Sequence, residues 1–251
     1  MDGSSGLAVT ARDFGLKGPR GWVFRGVSAD AEPGSLIALE GPSGSGRTCL
    51  LLALTGRMRP TEGLASVGGL ELPRRMSAVR HRSALAHVTG VTDLDPALTA
   101  GEHLREQALL QGRFGGSPRG LPRPRAERAR TRQRRVDTAL ATAGLDLAAL
   151  PKGPRTAVRD LERTEALRLS LALALLTGPG LLGVDDTDLK LSSAERAEVW
   201  ALLKSVTDTG TTVLAVCRQA PRDAVVVRTG TAGHDETKEA AADALAETGR
   251  S

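Results

Sequence analysis

Eight residues, Gly41-Pro42-Ser43-Gly44-Ser45-Gly46-Arg47-Thr48, have the types and spacing of a loop that holds phosphate. The pattern G-x-x-x-x-G-K-[ST] wraps backbone N–H groups around phosphate oxygens, sets a Lys on the β/γ-phosphates and offers a hydroxyl to Mg²⁺. Every position fits except the Lys, which is Arg47. Lys is a compact point charge, whereas Arg is a longer planar fork that grips phosphate bidentately. The fit predicts nucleotide. The exchange predicts altered chemistry, because in-line phosphoryl transfer depends on positioning and electrostatics.

The elements around the loop must aim it. Ser35–Leu39 is a short apolar run after Pro33-Gly34, the pattern of a buried parallel strand. Cys49–Leu54 is apolar almost all round, as in a helix covered on both sides, and Gly56 is its stop signal. Strand, glycine loop and helix together point a helix N-terminus at an anion. The bland alternative is a flexible Gly/Ser turn between two core elements. Further along, Leu181–Val184 reads as a strand running into Asp185-Asp186. Ser192-Ser193-Ala194-Glu195 reads as a capping-box helix start, with the helix ended at Gly210. Thr211–Val216 and Ala224–Val227 read as strands, residues 64–72 as a hairpin, and residues 7–40 as a small β-layer. From Thr99 to Leu176 the spacing is helical, interrupted by a Gly/Pro/Arg-rich loop over 112–125. Strands alternating with helices imply a mostly parallel sheet with right-handed crossovers. Residues 229–251 read as a flexible tail.

Composition narrows the class. Aromatics are 2% of the chain and Tyr is absent, so the core is aliphatic. Cys49 and Cys217 have no metal or redox spacing and read as reduced core residues. The four histidines suggest no metal site. No secretory signal is evident at MDGSSGLAVT, and no apolar run is long enough to span a bilayer, so the expected location is cytoplasmic. From Arg113 to Arg135 nine arginines face one acid, Glu127, so the basic excess of the chain is this segment. Its candidate partners are anionic lipid, an acidic loop of a protein, or nucleic acid; a solvated loop reflecting an Arg-rich composition is the bland alternative.

The order of segments resembles the ATP-binding cassette domain of ABC transporters, from about Leu7 to Val227. The loop and Thr55–Gly63 are similar to the family's Walker A region, Leu98–Leu104 to the "LT-x-x-E-x-L" entry of its helical subdomain, and Leu181–Asp186 to Walker B. The resemblance implies an α/β fold of P-loop NTPase type, with a mostly parallel sheet carrying helices on both faces, an N-terminal antiparallel β layer and an inserted α-helical subdomain. It implies a nucleotide-binding domain over 1–228, with the helical subdomain at about 91–168 and the basic loop at 112–135. ATP and Mg²⁺ are the implied cofactors, held by Gly41 to Thr48, with Thr48 and Asp185 on the metal and Asp186 as the catalytic carboxylate at the position that orients the attacking water. Trp22 is a candidate for stacking on adenine, with a hairpin aromatic as its alternative; Trp200 reads as core. The implied partners are a membrane-spanning subunit and a second nucleotide-binding domain, at the inner face of the cell membrane.

Several positions depart from the family pattern together. The acid after Asp185 is normally Glu, and here it is Asp186, one methylene shorter. The signature "LSGGQ" falls at Leu161–Glu165, where the glycines are gone and two carboxylates have appeared. The switch His falls at Arg218, the D-loop Asp near Ser192 and the Q-loop Gln near Gly90. These departures imply weak hydrolysis. A regulatory or scaffold pseudo-ATPase of the same fold is the alternative. A nucleic-acid role ranks below both, since such members usually carry two cassettes in tandem.

Overall fold

The computed structural model describes residues 6–114, 125–187 and 191–230, without side chains for 112–114. Two sheets organise the described chain. The first is antiparallel, in the order β2-β1-β4-β5, from β1 (Val9–Gly18), β2 (Gly21–Ala31), β4 (Glu62–Val67) and β5 (Leu70–Leu72). The second is parallel throughout, in the order β6-β7-β8-β3-β9. Its strands are β3 (Leu36–Glu40), β6 (Ser83–Ala86), β7 (Leu181–Val184), β8 (Thr212–Cys217) and β9 (Val225–Arg228).

The parallel strands are apolar runs because both their faces are covered. On β3, Ile37 and Leu39 face a core shared with helix α1 (Arg47–Leu54) and the antiparallel sheet. Leu36 and Ala38 face the opposite core, with α5 (Arg163–Leu175) and α6 (Ser193–Asp208). This is the period-2 alternation of a strand, with both halves buried. Helix α1 lies between the sheets, with Leu50, Leu51, Ala53 and Leu54 buried. Gly183 breaks the apolar run of β7 for a packing reason: a Cβ there would lie 2.7 Å from Leu85 Cδ2 and 3.0 Å from Leu51 Cδ1. Short α2 (Met76–Arg82) leads into β6.

A helical lobe is inserted between β6 and β7. It holds α3 (Ala100–Phe114), α4 (Arg125–Thr142) and the start of α5. Its base is pinned by backbone bonds, Ala100 N–H to Thr156 O at 3.0 Å and Val158 N–H to Leu98 O at 2.9 Å. The Arg-rich segment differs from the expected loop. Helix α3 continues to Phe114, and from Arg125 the arginines stand on α4; residues 115–124 lie outside the described residues. Arg and Ala are strong helix formers, and that propensity outweighs charge repulsion along an exposed helix. The tail expected from residue 229 lies outside the described residues beyond Gly230. Trp200 is buried in the α5/α6 core and Cys217 is buried at the end of β8.

Candidate nucleotide site

The glycine loop stands at the carboxyl end of β3, between β8 and β9. Ligands of open α/β sheets gather in crevices at these strand ends. Gly46, the N-cap of α1, has φ 80°, and no side chain caps the helix. A Cβ on Gly46 would overlap the carbonyl of Val23, so β2 presses directly on the loop. Gly44 also has positive φ, 83°, but nothing lies within 4 Å of where its Cβ would be. The loop is therefore braced beneath and open above. The uncapped first turn of α1 leaves N–H donors pointing out, which suits an anion.

The brace joins Ser45 of the loop to residues with no signal of their own in the phosphate-binding pattern. Ser45 Oγ and Thr229 Oγ1 share a buried hydrogen bond of 2.7 Å. Thr229 N–H donates to Glu40 O at 2.9 Å. The Glu40 carboxylate accepts from Ala220 N–H at 3.0 Å and from Arg228 Nε at 3.1 Å. The Ala220 amide, ahead of Arg228, holds the Glu40 carboxyl below its ordinary value. A charged residue ending an otherwise apolar strand was the available signal; its partners, some 180 positions away, were not.

Thr48 Oγ1 donates to Asp185 Oδ2 at 2.7 Å, and Asp186 N–H donates to Asp185 Oδ1 at 2.9 Å. Asp185 is only 5% exposed. Burial pushes its carboxyl up from the ordinary value, and the Thr48 hydroxyl, the Asp186 amide and the Arg47 charge oppose this. A hydroxyl and a buried carboxylate side by side at the mouth of an anion-binding loop fit a hard cation with oxygen ligands. Mg²⁺ at these two groups would neutralise phosphate charge. Arg47 does not point into the loop. Its Nη1 donates to the carbonyl of Cys217, at the end of β8.

Asp186 sits just beyond, in the left-handed region at φ 49°. It lines a cavity of about 150 Å³ with His87, Thr89, Arg163 and Leu191. His87 also has positive φ, 54°. Burial pushes its imidazole down, against the pull of the nearby Asp186 carboxylate. Trp22 is half-buried on β2, next to the Val23 that backs the loop. The Arg25 guanidinium lies 4.7 Å and the Lys17 ammonium 5.6 Å from its ring centroid, so a base at this ring would share it with two cations.

The family described as ABC transporter matches residues 24–188. The chain belongs to that family. It is 31% identical over 192 residues to "Nod factor export ATP-binding protein I" of Burkholderia thailandensis, covering 76% of this chain and 56% of that one. It is 30% identical over 202 residues to "ABC transporter G family member 21" of Arabidopsis thaliana, covering 80% of this chain and 28% of that one. The chain thus spans about half the length of the Nod factor export relatives, and less of the plant protein. Among solved structures, the dimeric structure of MJ0796, a bacterial ABC transporter cassette, superposes with a TM-score of 0.66 at 19% identity, over 90% of this chain and 97% of that one. CbiO1 of Clostridium perfringens, part of the ABC transporter complex cbiONQ, gives 0.67 at 17% identity, over 95% and 93%. At those identities the superpositions establish the fold: an α/β parallel sheet with helices, flanked by an antiparallel sheet.

The positions that the sequence resemblance reads as departures have definite local roles here. The signature segment Leu161–Glu165 opens α5, where Glu162 and Glu165 form a capping box. Glu165 Oε2 accepts the Glu162 N–H at 2.8 Å. The N-terminus of α5 thereby carries its own carboxylates, while no side chain caps that of α1. Ser192, at the D-loop position, is the N-cap of α6, closed by the expected capping box with Glu195. Gly90, at the Q-loop position, donates its N–H to Asp93 Oδ2 at 2.8 Å. Arg218 follows β8 and is exposed. Among the described residues no helix is long and apolar enough to cross a membrane.

Proposed function

We propose that the chain is the ATP-binding subunit of an ABC-type transporter, working with a separate membrane-spanning subunit at the inner face of the cell membrane and pairing with a second nucleotide-binding domain. It binds Mg-ATP through Gly41–Thr48, with Thr48 and Asp185 on the metal and Trp22 beside the base. The observation that carries this reading is the pairing of the Thr48 hydroxyl with buried Asp185 beneath an uncapped α1. The export role in the name of the Burkholderia relative supports transport as the setting.

Its own turnover is slow. Asp186 is the acid available to orient a water, but it is short and held in a left-handed conformation. Misplacement by about 1 Å lowers a rate on the order of 100-fold. Two further observations favour a regulatory pseudo-ATPase as the second reading. Arg47 is committed to the Cys217 carbonyl, and the α5 N-terminus is occupied by Glu162 and Glu165.

Calorimetry with the purified chain tests the binding. Mg-dependent ATP binding is expected for wild type and its loss for Gly44→Ala, which places a methyl in the open mouth of the loop. The strain at positive φ is about 1–2 kcal/mol, so that variant folds. A Gly46 variant is a poorer probe, because a side chain there meets the Val23 backbone. No binding at millimolar ATP overturns the nucleotide reading.

A further inference from the structure

We infer that the N-terminal half of α4 is an electrostatic foot that rests on a surface of anionic lipid headgroups. The inference rests on the transporter reading only for the nearness of a bilayer; its evidence is the helix itself. Between Arg125 and Arg135 six arginines, at 125, 128, 130, 132, 134 and 135, accompany one acid, Glu127. Five of the six are exposed and Arg132 is half-buried. Among the described residues no ion pair holds any of the six. Among the described residues the charge is therefore not spent on ion pairs.

Helix geometry sorts these side chains. At 100° per residue, Arg125, Arg128, Arg132 and Arg135 fall within one sector of roughly 80° and span about 15 Å along the axis. Arg130 and Arg134 fall on the far side. The second half of α4 is fixed in the lobe by the same sector, in which Ala139 is buried against the core that holds Leu104 and Leu167; the row continues that sector toward the start of α4, where Arg125, Arg128 and Arg135 are exposed. A row of guanidiniums is thus carried on a rigid support. Each can grip a phosphate bidentately.

The chemistry favours lipid over nucleic acid. Helix α4 has no aromatic residue, so it offers no stacking platform for unpaired bases. Its exposed half has Ala126 and Ala129 but no large apolar side chain to insert into the bilayer. The contact is adsorption of charge to charged headgroups, and it is released by salt as the Debye length falls from about 10 Å at 0.1 M to about 3 Å at 1 M.

Vesicle sedimentation of the full chain without nucleotide tests this. Vesicles of neutral phosphatidylcholine are compared with vesicles containing anionic phosphatidylglycerol, for three proteins. These are wild type, a row variant (Arg125→Gln, Arg128→Gln, Arg132→Gln, Arg135→Gln), and a scattered variant that loses the same charge at exposed Arg12, Arg20, Arg59 and Arg222. The expected result is that wild type and the scattered variant bind anionic vesicles alone at 0.1 M salt and leave them at 1 M. The row variant should bind several hundredfold more weakly, at roughly fivefold per arginine. Circular dichroism checks that α4 stays helical. Equal binding by the row variant and wild type overturns the inference. So does equal loss in the scattered variant, which means net charge alone, and so does wild type that ignores vesicles, whether or not it binds a short single-stranded RNA offered in parallel. Because nucleotide is absent, failure here leaves the ATP reading intact, and failure to bind ATP leaves this result standing.

Discussion

Replacing Arg47 by Lys should loosen the empty protein and tighten its grip on nucleotide. The reasoning starts from the Arg47 Nη1 bond to the Cys217 carbonyl, which holds the guanidinium across the strand ends and off the loop. Hydrogen bonds from charged donors contribute about 1.5–3 kcal/mol, and half-exposed Arg47 belongs at the lower end. A ligand phosphate that recruits this cation must first break that bond. An opposing 1.4 kcal/mol lowers apparent affinity about tenfold. Lys, a point charge without the fork, cannot reproduce the tether. Arg47→Lys is therefore expected to lower the melting temperature of the free protein by roughly 3–6 °C, at about 2–4 °C per kcal/mol for a chain of this size. It should also improve Mg-ATP affinity by about fivefold to tenfold. Arg47→Met, which removes tether and cation together, should show the same loss of stability without the gain in affinity. Differential scanning fluorimetry and calorimetry on the three proteins decide it. If Arg47→Lys melts like wild type and binds ATP more weakly, the guanidinium is itself the phosphate ligand and the tether argument fails.

Other expectations follow from the same contacts. Thr48→Ala strips the hydroxyl from Asp185 and should abolish the Mg²⁺ dependence of ATP binding, read by titrating ATP with and without Mg²⁺. Glu40→Gln weakens the brace under the loop and should cost about 1–2 kcal/mol at neutral pH. Since folding holds the Glu40 carboxyl below its ordinary value, its contribution is full above the ordinary glutamate range and is lost as pH falls through the lowered value. Urea melts of the two proteins should therefore converge on acidification, and a gap that persists in acid refutes the assignment. Gly183→Ala drives a methyl between Leu85 and Leu51 and should destabilise by about 1–3 kcal/mol in the same urea melts. Asp186→Glu should raise ATP turnover in a phosphate-release assay, and more so combined with Arg47→Lys; unchanged rates would place the block elsewhere, with the filled α5 N-terminus the next suspect.

Local rules made much of the site legible in the sequence. The loop, its strand and its helix were readable because Gly44 and Gly46 need conformations few residues tolerate and the flanking runs have the periods of buried elements. The start of α6 was readable because Ser192 and Glu195 satisfy a rule that spans only four residues. What stayed hidden depends on direction or on distance along the chain. Composition identifies Arg47, but only the fold shows that its fork lies against the Cys217 carbonyl, 170 positions away. Ser45 and Thr229, which lock the loop from beneath, are 184 positions apart. On α4, Pro and Arg density argued for a loop up to Arg135, while the helical propensity of Arg and Ala prevailed from Arg125.

The two helix N-termini that matter most are the same physical object treated in opposite ways. Each presents first-turn N–H groups and the positive end of a helix dipole. At α1 the cap is Gly46, which has no side chain to spend on those donors, so an anion from outside can take them. At α5 the cap is Glu162, with Glu165 three residues on; their capping box takes the Glu165 and Glu162 N–H groups and sets at the helix start two carboxylates that repel phosphate. Substituting both glutamates by Gly would reopen α5 but would remove a capping box worth about 1 kcal/mol. The chain therefore gains local stability at α5 from the same substitution that closes it to anions. Under the proposed reading, which places the family's signature segment at Leu161–Glu165, the loop before α1 stays open to phosphate while the carboxylates at the start of α5 repel it.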